Sequence, residues 1–283
     1  MFKPKLQNIK PALRHAAVAP IIGPLVSIGL GLALTAVERE RISFRHVGDG
    51  LFRYRFANSA VLYSRDLDML TPSRLRAEAQ RYYLDKLDLQ VGDVVIDAGA
   101  SIGTFAYAAA EAVGPTGQVI AIEAHPQSFA ALKKGVDESD FDNIVCVNVA
   151  LSDRPGTLDI GTSDDYRLSS VIAVEGQTSS VEAVTIDELV ARHELGKIDM
   201  VKMNIEGAET TALAGATESA RAGKIGSLAV SCHDFMFEET GIADYKSREA
   251  VAAWLDTCGF DCVWGNQTSS EVPYRDYVWA TAR

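Results

Sequence analysis

The sequence predicts an α/β fold: a mostly parallel sheet with helices on both faces, an antiparallel strand at its C-terminal end, and a helical and hairpin extension ahead of it. Three observations predict this. From residue 92, short runs of apolar, β-branched residues alternate with helix-forming runs, the pattern of a parallel sheet buried on both sides. The last two strand-like runs, FDCVWG and DYVWATA, have no helical pattern between them, so they pair antiparallel. The first strand of the alternation, VVIDAG, runs into the glycine-containing turn DAGASIG, and sheets of this kind hold ligands beyond the carboxyl ends of their strands.

The elements follow in order. Residues 16–37, AAVAPIIGPLVSIGLGLALTAV, carry no charge over 22 positions. Pro20 and Pro24 interrupt that run, and the thirteen residues from Leu25 to Val37 would span roughly 20 Å as a helix, short of a bilayer core of roughly 30 Å. Three readings stay open: a helix packed on the body or on a second subunit, a peripheral or re-entrant membrane contact, and a cleaved leader. ISFRHV and LFRYRF, separated by Gly48-Asp49-Gly50, read as a hairpin. Thr71-Pro72-Ser73 starts a helix over RLRAEAQRYYLDKL. Then come the strand VVIDAG, the helix FAYAAAEAV, the strand QVIAIEA, the helix PQSFAALKKGV with proline first, and the strand IVCVNVAL. Residues 152–184 hold shorter strand-like pieces around turns at Pro155-Gly156 and Ser163-Asp164-Asp165. TIDELVARH is a helix, DMVKMNI a strand, GAETTALAGATESARAG a helix, SLAVSCH a strand and SREAVAAWLDTCG a helix.

Composition narrows the function classes. The net charge of −11 argues against a nucleic-acid partner, which wants a basic face. The charge is uneven: residues 1–60 hold nine Lys/Arg against three acids, leaving −17 on residues 61–283. The four cysteines, Cys146, Cys232, Cys258 and Cys262, form no CxxC pair and have no histidine pair at zinc spacing; they read as reduced, buried thiols of a cytoplasmic protein. No metal site is predicted.

The turn itself discriminates between ligands. A dinucleotide fingerprint is GxGxxG; here Asp97-Ala98-Gly99-Ala100-Ser101-Ile102-Gly103 reads DxGxxxG. The glycine that lets a backbone approach a pyrophosphate is missing, and Asp97 would repel phosphate. No Gly-Lys-Ser/Thr follows, which excludes a P-loop. An acid at the strand end suits a cofactor without phosphate and with positive charge, and S-adenosylmethionine fits. Glu123 ends the next strand, twenty residues past Gly103, where a carboxylate can accept both ribose hydroxyls.

With these residues the sequence resembles the FkbM family of class I methyltransferases. VVIDAGASIGTF, VIAIEAHP, NIVCVNVALSD, TIDEL and IDMVKMNIEGAETTALAGA match that family in order and spacing over residues 92–217. The resemblance implies a Rossmann-like methyltransferase sheet over 91–283; residues 1–60 lie outside it, and the residues themselves read as an apolar and basic extension over 1–42 and a hairpin and helix leading in over 43–90. It implies transfer of the S-adenosylmethionine methyl to an oxygen, commonly a hydroxyl on a sugar, glycolipid or other natural product. By that likeness Asp97, Gly99 and Gly103, with Ala100 and Ser101 between them, line the methionine end. Glu123, with Ala124 beside it, takes the ribose, and Asn148-Val149-Ala150-Leu151 borders the adenine.

One residue departs from the family pattern: Asn204, in KMNIEG, stands where relatives usually carry an acid. Asn keeps the shape and an acceptor oxygen but not the charge. Glu206 and Glu209 lie close by, Glu206 as a cap or as chemistry. His233 and Asp234, in SCHDF, stand at the end of the following strand. His233 is the candidate base, since an ordinary histidine titrates near neutrality, with Asn204 and Asp234 as its companions. His125 competes from the adenosine side. The chain is thus expected to be a cytoplasmic enzyme, with membrane-face contact through residues 16–37 and a homo-oligomer both left open. Two readings from other classes keep the same fold: a cofactor-binding homologue without turnover, and a membrane-tethered scaffold.

Overall fold

The computed structural model describes residues 14, 16–19, 23–48, 50–161, 178–266, 269 and 272–283. Helix α1 (Gly23–Glu38) packs along strand β1 (Ser43–His46). It does so through Gly23, Ser27, Gly31 and Leu34, about one residue per turn. At Gly31 a side chain would crowd the backbone of Ile42 and Phe44. β1 pairs antiparallel with β2 (Phe52–Arg55), as the hairpin pattern predicts, and β3 (Val61–Ser64) adds a third strand that the pattern does not announce. Helix α2 (Pro72–Tyr82) starts where its capping signals place it: Thr71 Oγ1 accepts the Arg74 amide and Pro72 fills the first turn. It stops before the expected Leu87, and Tyr82 and Tyr83 both pack against Tyr277.

The predicted alternation then holds: β4 (Val94–Ala98), α3 (Thr104–Val113), β5 (Gln118–Ile122), α4 (Pro126–Asp137) and β6 (Ile144–Val147). The run IVCVNVAL is not one strand, however. It breaks at Asn148, whose amide donates to the carbonyls of Glu123 and Ala124. The remainder, β7 (Ala150–Leu151), joins β8 (Gly156–Gly161) and β9 (Thr178–Val184) in a separate three-stranded sheet. The predicted turn at Ser163-Asp164-Asp165 lies outside the described residues. α5 (Ile186–Arg192), capped by Thr185, leads to β10 (Ile198–Met203). The helix predicted over 207–223 is two, α6 (Glu209–Ala214) and α7 (Thr217–Arg221). The Asp187 carboxylate accepts the amides of Glu218 and Ser219 and so starts the second one. β11 (Ile225–Ser231) follows, then α8 (Asp234–Thr240), which no sequence signal marks, and α9 (Arg248–Thr257). β12 (Phe260–Trp264), a short α10 (Val272–Arg275) and β13 (Tyr277–Ala282) complete the sheet.

The main sheet runs β12-β13-β11-β10-β4-β5-β6. β13 lies antiparallel to both β11 and β12, while the β11–β10, β10–β4, β4–β5 and β5–β6 pairs are parallel. The chain walks outward from β4 to β6 on one side and from β10 to β11 on the other. The gap between β4 and β10 is therefore the switch point, where such sheets open a crevice. Strand alternation divides the core. Val95, Val119, Ala121 and Met200 face one side, shared with Phe52, Tyr54 and Leu62 of the small N-terminal sheet; Ile96, Ile120, Ile122, Val201 and Met203 face the other. Each Val, Ile, Leu, Met or Phe among them removed from water contributes roughly 1.5–3 kcal/mol, so these strands fix the frame on which the turns are displayed. The cysteines are unbridged. Cys232 is buried, as expected, but Cys146 and Cys258 are only partly buried and Cys262 is exposed, with Asp261 and Val263 beside it, on the edge strand β12.

Candidate active site

A cavity of about 230 Å³ opens at the carboxyl ends of β4, β5 and β10. The turn after β4 gives it Gly99 and Ser101, and the end of β5 gives Ile122, Glu123, Ala124 and His125. Val149, Ala150, Leu151 and Ile160 make an apolar wall, and Asn204, Ile205, Glu206 and Ala208 close the β10 side. The turn is tight. Gly99 has a φ of 76°, and a side chain there would collide with the carbonyl of Asn204. Its amide and that of Ala100 both donate to the Ile122 carbonyl. Two non-glycine residues of the lining, Ser101 (φ 51°) and Glu206 (φ 54°), hold left-handed backbone, a conformation that costs energy and clusters at functional sites.

Glu123 is fixed at the floor. Its Oε2 accepts the Ser101 amide at 2.7 Å and its Oε1 the His125 amide at 2.8 Å. Burial pushes its carboxyl above the ordinary value, against the pull of those two amides. A carboxylate has about four acceptor sites, so two remain for a ligand. The ring of His125 is turned inward: its Nδ1 caps α4 at Ser128, and burial holds its pKa down.

Asp97 does not line the cavity. It is fully buried, and its Oδ1 lies 2.8 Å from Nζ of Lys202, also buried. Lys202 stands opposite Asp97 in the β10–β4 register and donates further to the carbonyls of Ala98 and Gly99. Its ammonium packs over the rings of Tyr83 and Phe105. Lys202 thus clamps the root of the turn from below. Ala100 and Gly103 also sit behind the cavity wall; Gly103 (φ 94°) caps α3 and abuts Leu132.

The three residues expected to do chemistry are not together. Asn204 lines the cavity, with its Nδ2 at 3.4 Å from the Tyr83 hydroxyl and its Oδ1 buried without a partner. His233 lies one layer further in, buried between two carboxylates: its Nδ1 is 2.9 Å from Glu209 Oε1 and its Nε2 is 3.6 Å from Glu206 Oε2. Burial works against its charged form, but the charge of Glu209 and then that of Glu206 outweigh it and raise its pKa to about 9. At neutral pH the ring therefore already holds both protons. Asp234 points elsewhere, its Oδ2 accepting the amides of Ser247 and Arg248 ahead of α9. Of the two carboxylates beside His233, the one that reaches the cavity is Glu206. Burial raises its pKa, with His233 pulling it down and Glu209 pushing it up. Glu209 is fully buried and accepts the Ile205 and Gly207 amides, which holds the left-handed turn that presents Glu206. The sequence signal for this is the IEG that follows strand β10, the counterpart of the turn after β4. Among the described residues, no group of three or more His, Cys, Asp or Glu is arranged to hold a metal ion.

A family model for the methyltransferase FkbM domain matches residues 97–262, more than half of the chain. The topology defines a Rossmann-like class I methyltransferase sheet. The chain belongs to the FkbM family of S-adenosylmethionine-dependent methyltransferases. No curated protein matches it in sequence. Among solved structures it is similar to methyltransferase FkbM from Methylobacillus flagellatus KT, at 15% identity over 69% of this chain, with a TM-score of 0.47; the chain spans 45% of the length of that protein. It is also similar to a SAM dependent methyltransferase from Aquifex aeolicus (13% identity, 75% of this chain, 97% of that one, TM-score 0.43). A third is Aeropyrum pernix fibrillarin with natively bound S-adenosyl-L-methionine (12%, 85% and 97%, TM-score 0.44).

Proposed function

We propose that the chain transfers the methyl group of S-adenosylmethionine to a hydroxyl on a small-molecule acceptor, a sugar, glycolipid or other natural product. The observation that supports this most is the make-up of the cleft. It offers two carboxylates, Glu123 and Glu206, a tight glycine turn, and no lysine or arginine among its described lining residues. Such a lining suits a sulfonium and an ammonium and disfavours a pyrophosphate.

In this reading Glu123 accepts the ribose hydroxyls, and Ala124, Val149, Ala150 and Leu151 form the apolar wall beside the adenine. Gly99 and Ser101 border the methionine end, with Ala100, Gly103 and the Asp97–Lys202 pair holding the turn in shape from behind. When bound, the cofactor supplies a methyl group already activated on sulfur. What the chain adds is alignment, worth several orders of magnitude in rate, and a base for the hydroxyl proton.

We place that base at Glu206 rather than at His233. Glu206 reaches the cleft with a raised pKa, and His233 has no vacant nitrogen lone pair at neutral pH. With the cofactor bound as methyl donor, Glu206 would take up the proton that the acceptor hydroxyl gives up. His233 positions Glu206 and balances its charge, Asn204 offers its Oδ1 to the acceptor, and Asp234 anchors the α8–α9 connection. The catalytic unit is 91–283, with 43–90 built into one of its cores and 1–42 as an extension that meets a membrane or a second copy. The cytoplasm is the compartment that supplies the cofactor.

A second reading, cofactor binding without turnover, is favoured by Asn204 in place of an acid. Incubation with methyl-labelled S-adenosylmethionine and a panel of hydroxyl-bearing acceptors separates the two. Turnover labels at least one acceptor with wild type and not with Glu206→Gln. Tight cofactor binding with no acceptor labelled supports the second reading.

A further inference from the structure

We propose that the outward face of helix α1 is a docking surface for an anionic lipid bilayer. The helix buries Gly23, Ser27, Gly31 and Leu34 against the body. Its opposite face is a continuous apolar row: Leu25, Ile28, Leu32 and Val37 are 72%, 59%, 66% and 78% exposed. The residues between them on that face, Pro24, Gly29, Ala33 and Ala36, are exposed too, so no polar side chain interrupts it. A surface helix ordinarily turns charged residues to water, and an exposed apolar row of this kind marks a contact surface.

The charges beside the row decide the occupant. Arg39, Arg41 and Arg45 follow the helix, all exposed and with no ion pair among the described residues. The neighbouring acids are engaged elsewhere. Glu38 accepts the amide and hydroxyl of Ser73, and Glu40 lies 3.7 Å from Arg76. The apolar row is therefore rimmed by an excess of positive charge, three arginines against the Glu38 carboxylate, and Lys3, Lys5 and Lys10 precede it in the sequence. Two copies meeting through this face would bring their arginines together, whereas anionic headgroups neutralise them. Between α1 and β1 lies a crevice of about 400 Å³ lined by Ile28, Phe44, Arg45, Ser27 and His46. Ser27 Oγ and His46 Nε2 are buried beside it without partners. The helix has 16 residues, about 24 Å, and no helix among the described residues is long and apolar enough to cross a membrane. The contact is one in which α1 lies in the interface plane.

Flotation of the full chain with vesicles tests this. Expected are co-flotation with phosphatidylcholine vesicles containing phosphatidylglycerol, weaker binding to pure phosphatidylcholine, and loss in high salt. Leu25→Asn/Ile28→Asn/Leu32→Asn should weaken binding by more than about tenfold, and Arg39→Gln/Arg41→Gln/Arg45→Gln should abolish the preference for anionic vesicles, both with unchanged thermal unfolding. The proposal is overturned if wild type does not float with anionic vesicles, or if the apolar variant floats as well as wild type. It is also overturned if sedimentation shows a dimer that the apolar variant splits, since a second copy would then cover the face. None of these readings depends on methyl transfer.

Discussion

Nζ of Lys202 lies 2.8 Å from Oδ1 of Asp97, in register on the adjacent strand, and both side chains are buried. The pair sits directly beneath the Gly99 turn, so it couples the two strands that border the cleft. Lys202→Met should leave the Asp97 carboxylate buried and alone. Removing one partner of a buried pair costs about 3–5 kcal/mol, and urea unfolding should register a loss of that order. A loss below about 1 kcal/mol would mean the pair carries little of the frame.

Gly99 is the tightest point of the turn. Gly99→Ala must displace the Asn204 carbonyl while holding a positive φ. The expected outcome is a drop of about 2 kcal/mol or more in stability, together with loss of cofactor binding. Calorimetry on the folded fraction separates the two effects.

Glu206 should govern the pH dependence of turnover. A base must be deprotonated to act, and burial raises the pKa of this carboxyl above its ordinary value. The rate should therefore rise with pH through a limb displaced upward from the usual carboxylate range. Glu206→Gln should lower kcat by roughly 10²–10⁴-fold and remove that limb, with a smaller loss of cofactor affinity from the lost charge in the cleft. An unaltered pH profile in this variant would assign the proton to another group.

His233 should leave its mark on stability instead. Its pKa is about 9 in the folded chain against about 6.5 unfolded. Because the folded value is the higher, the stabilisation is fully present below pH 6.5 or so and is lost as pH rises through 9. Its size is on the order of 3 kcal/mol. The stability difference between wild type and His233→Gln should shrink over that window, measured by denaturant titration at several pH values. A constant difference would mean that His233 is neutral in the folded chain.

Much of the frame is legible in the sequence because parallel strands buried on both faces must be nearly all apolar. VVIDA, QVIAI and IDMVKM could be little else. The start of α2 is legible because Thr71 and Pro72 act locally. The pairings that shape the cleft are not, since they come from register rather than from sequence order. Lys202 meets Asp97 across 105 positions, and a lysine between the apolar Val201 and Met203 is the one hint of it. His233 reads as a base because its residue type titrates near neutrality. Its two carboxylate neighbours, which reverse that expectation, become visible only once the turn after β10 and the start of α6 meet the end of β11. The same holds for Asn148, whose bonds to Glu123 and Ala124 split a run that reads as a single strand.

The most direct test of the central claim is calorimetric titration of the full chain with S-adenosylmethionine, wild type beside Glu123→Ala. The expected result is one site per chain in wild type, with affinity reduced about tenfold or more in the variant, as loss of charged hydrogen bonds to the ribose requires. Absence of binding by folded wild type, or equal affinity in Glu123→Ala, would contradict the placement of the cofactor in the cleft between Gly99, Glu123 and Glu206.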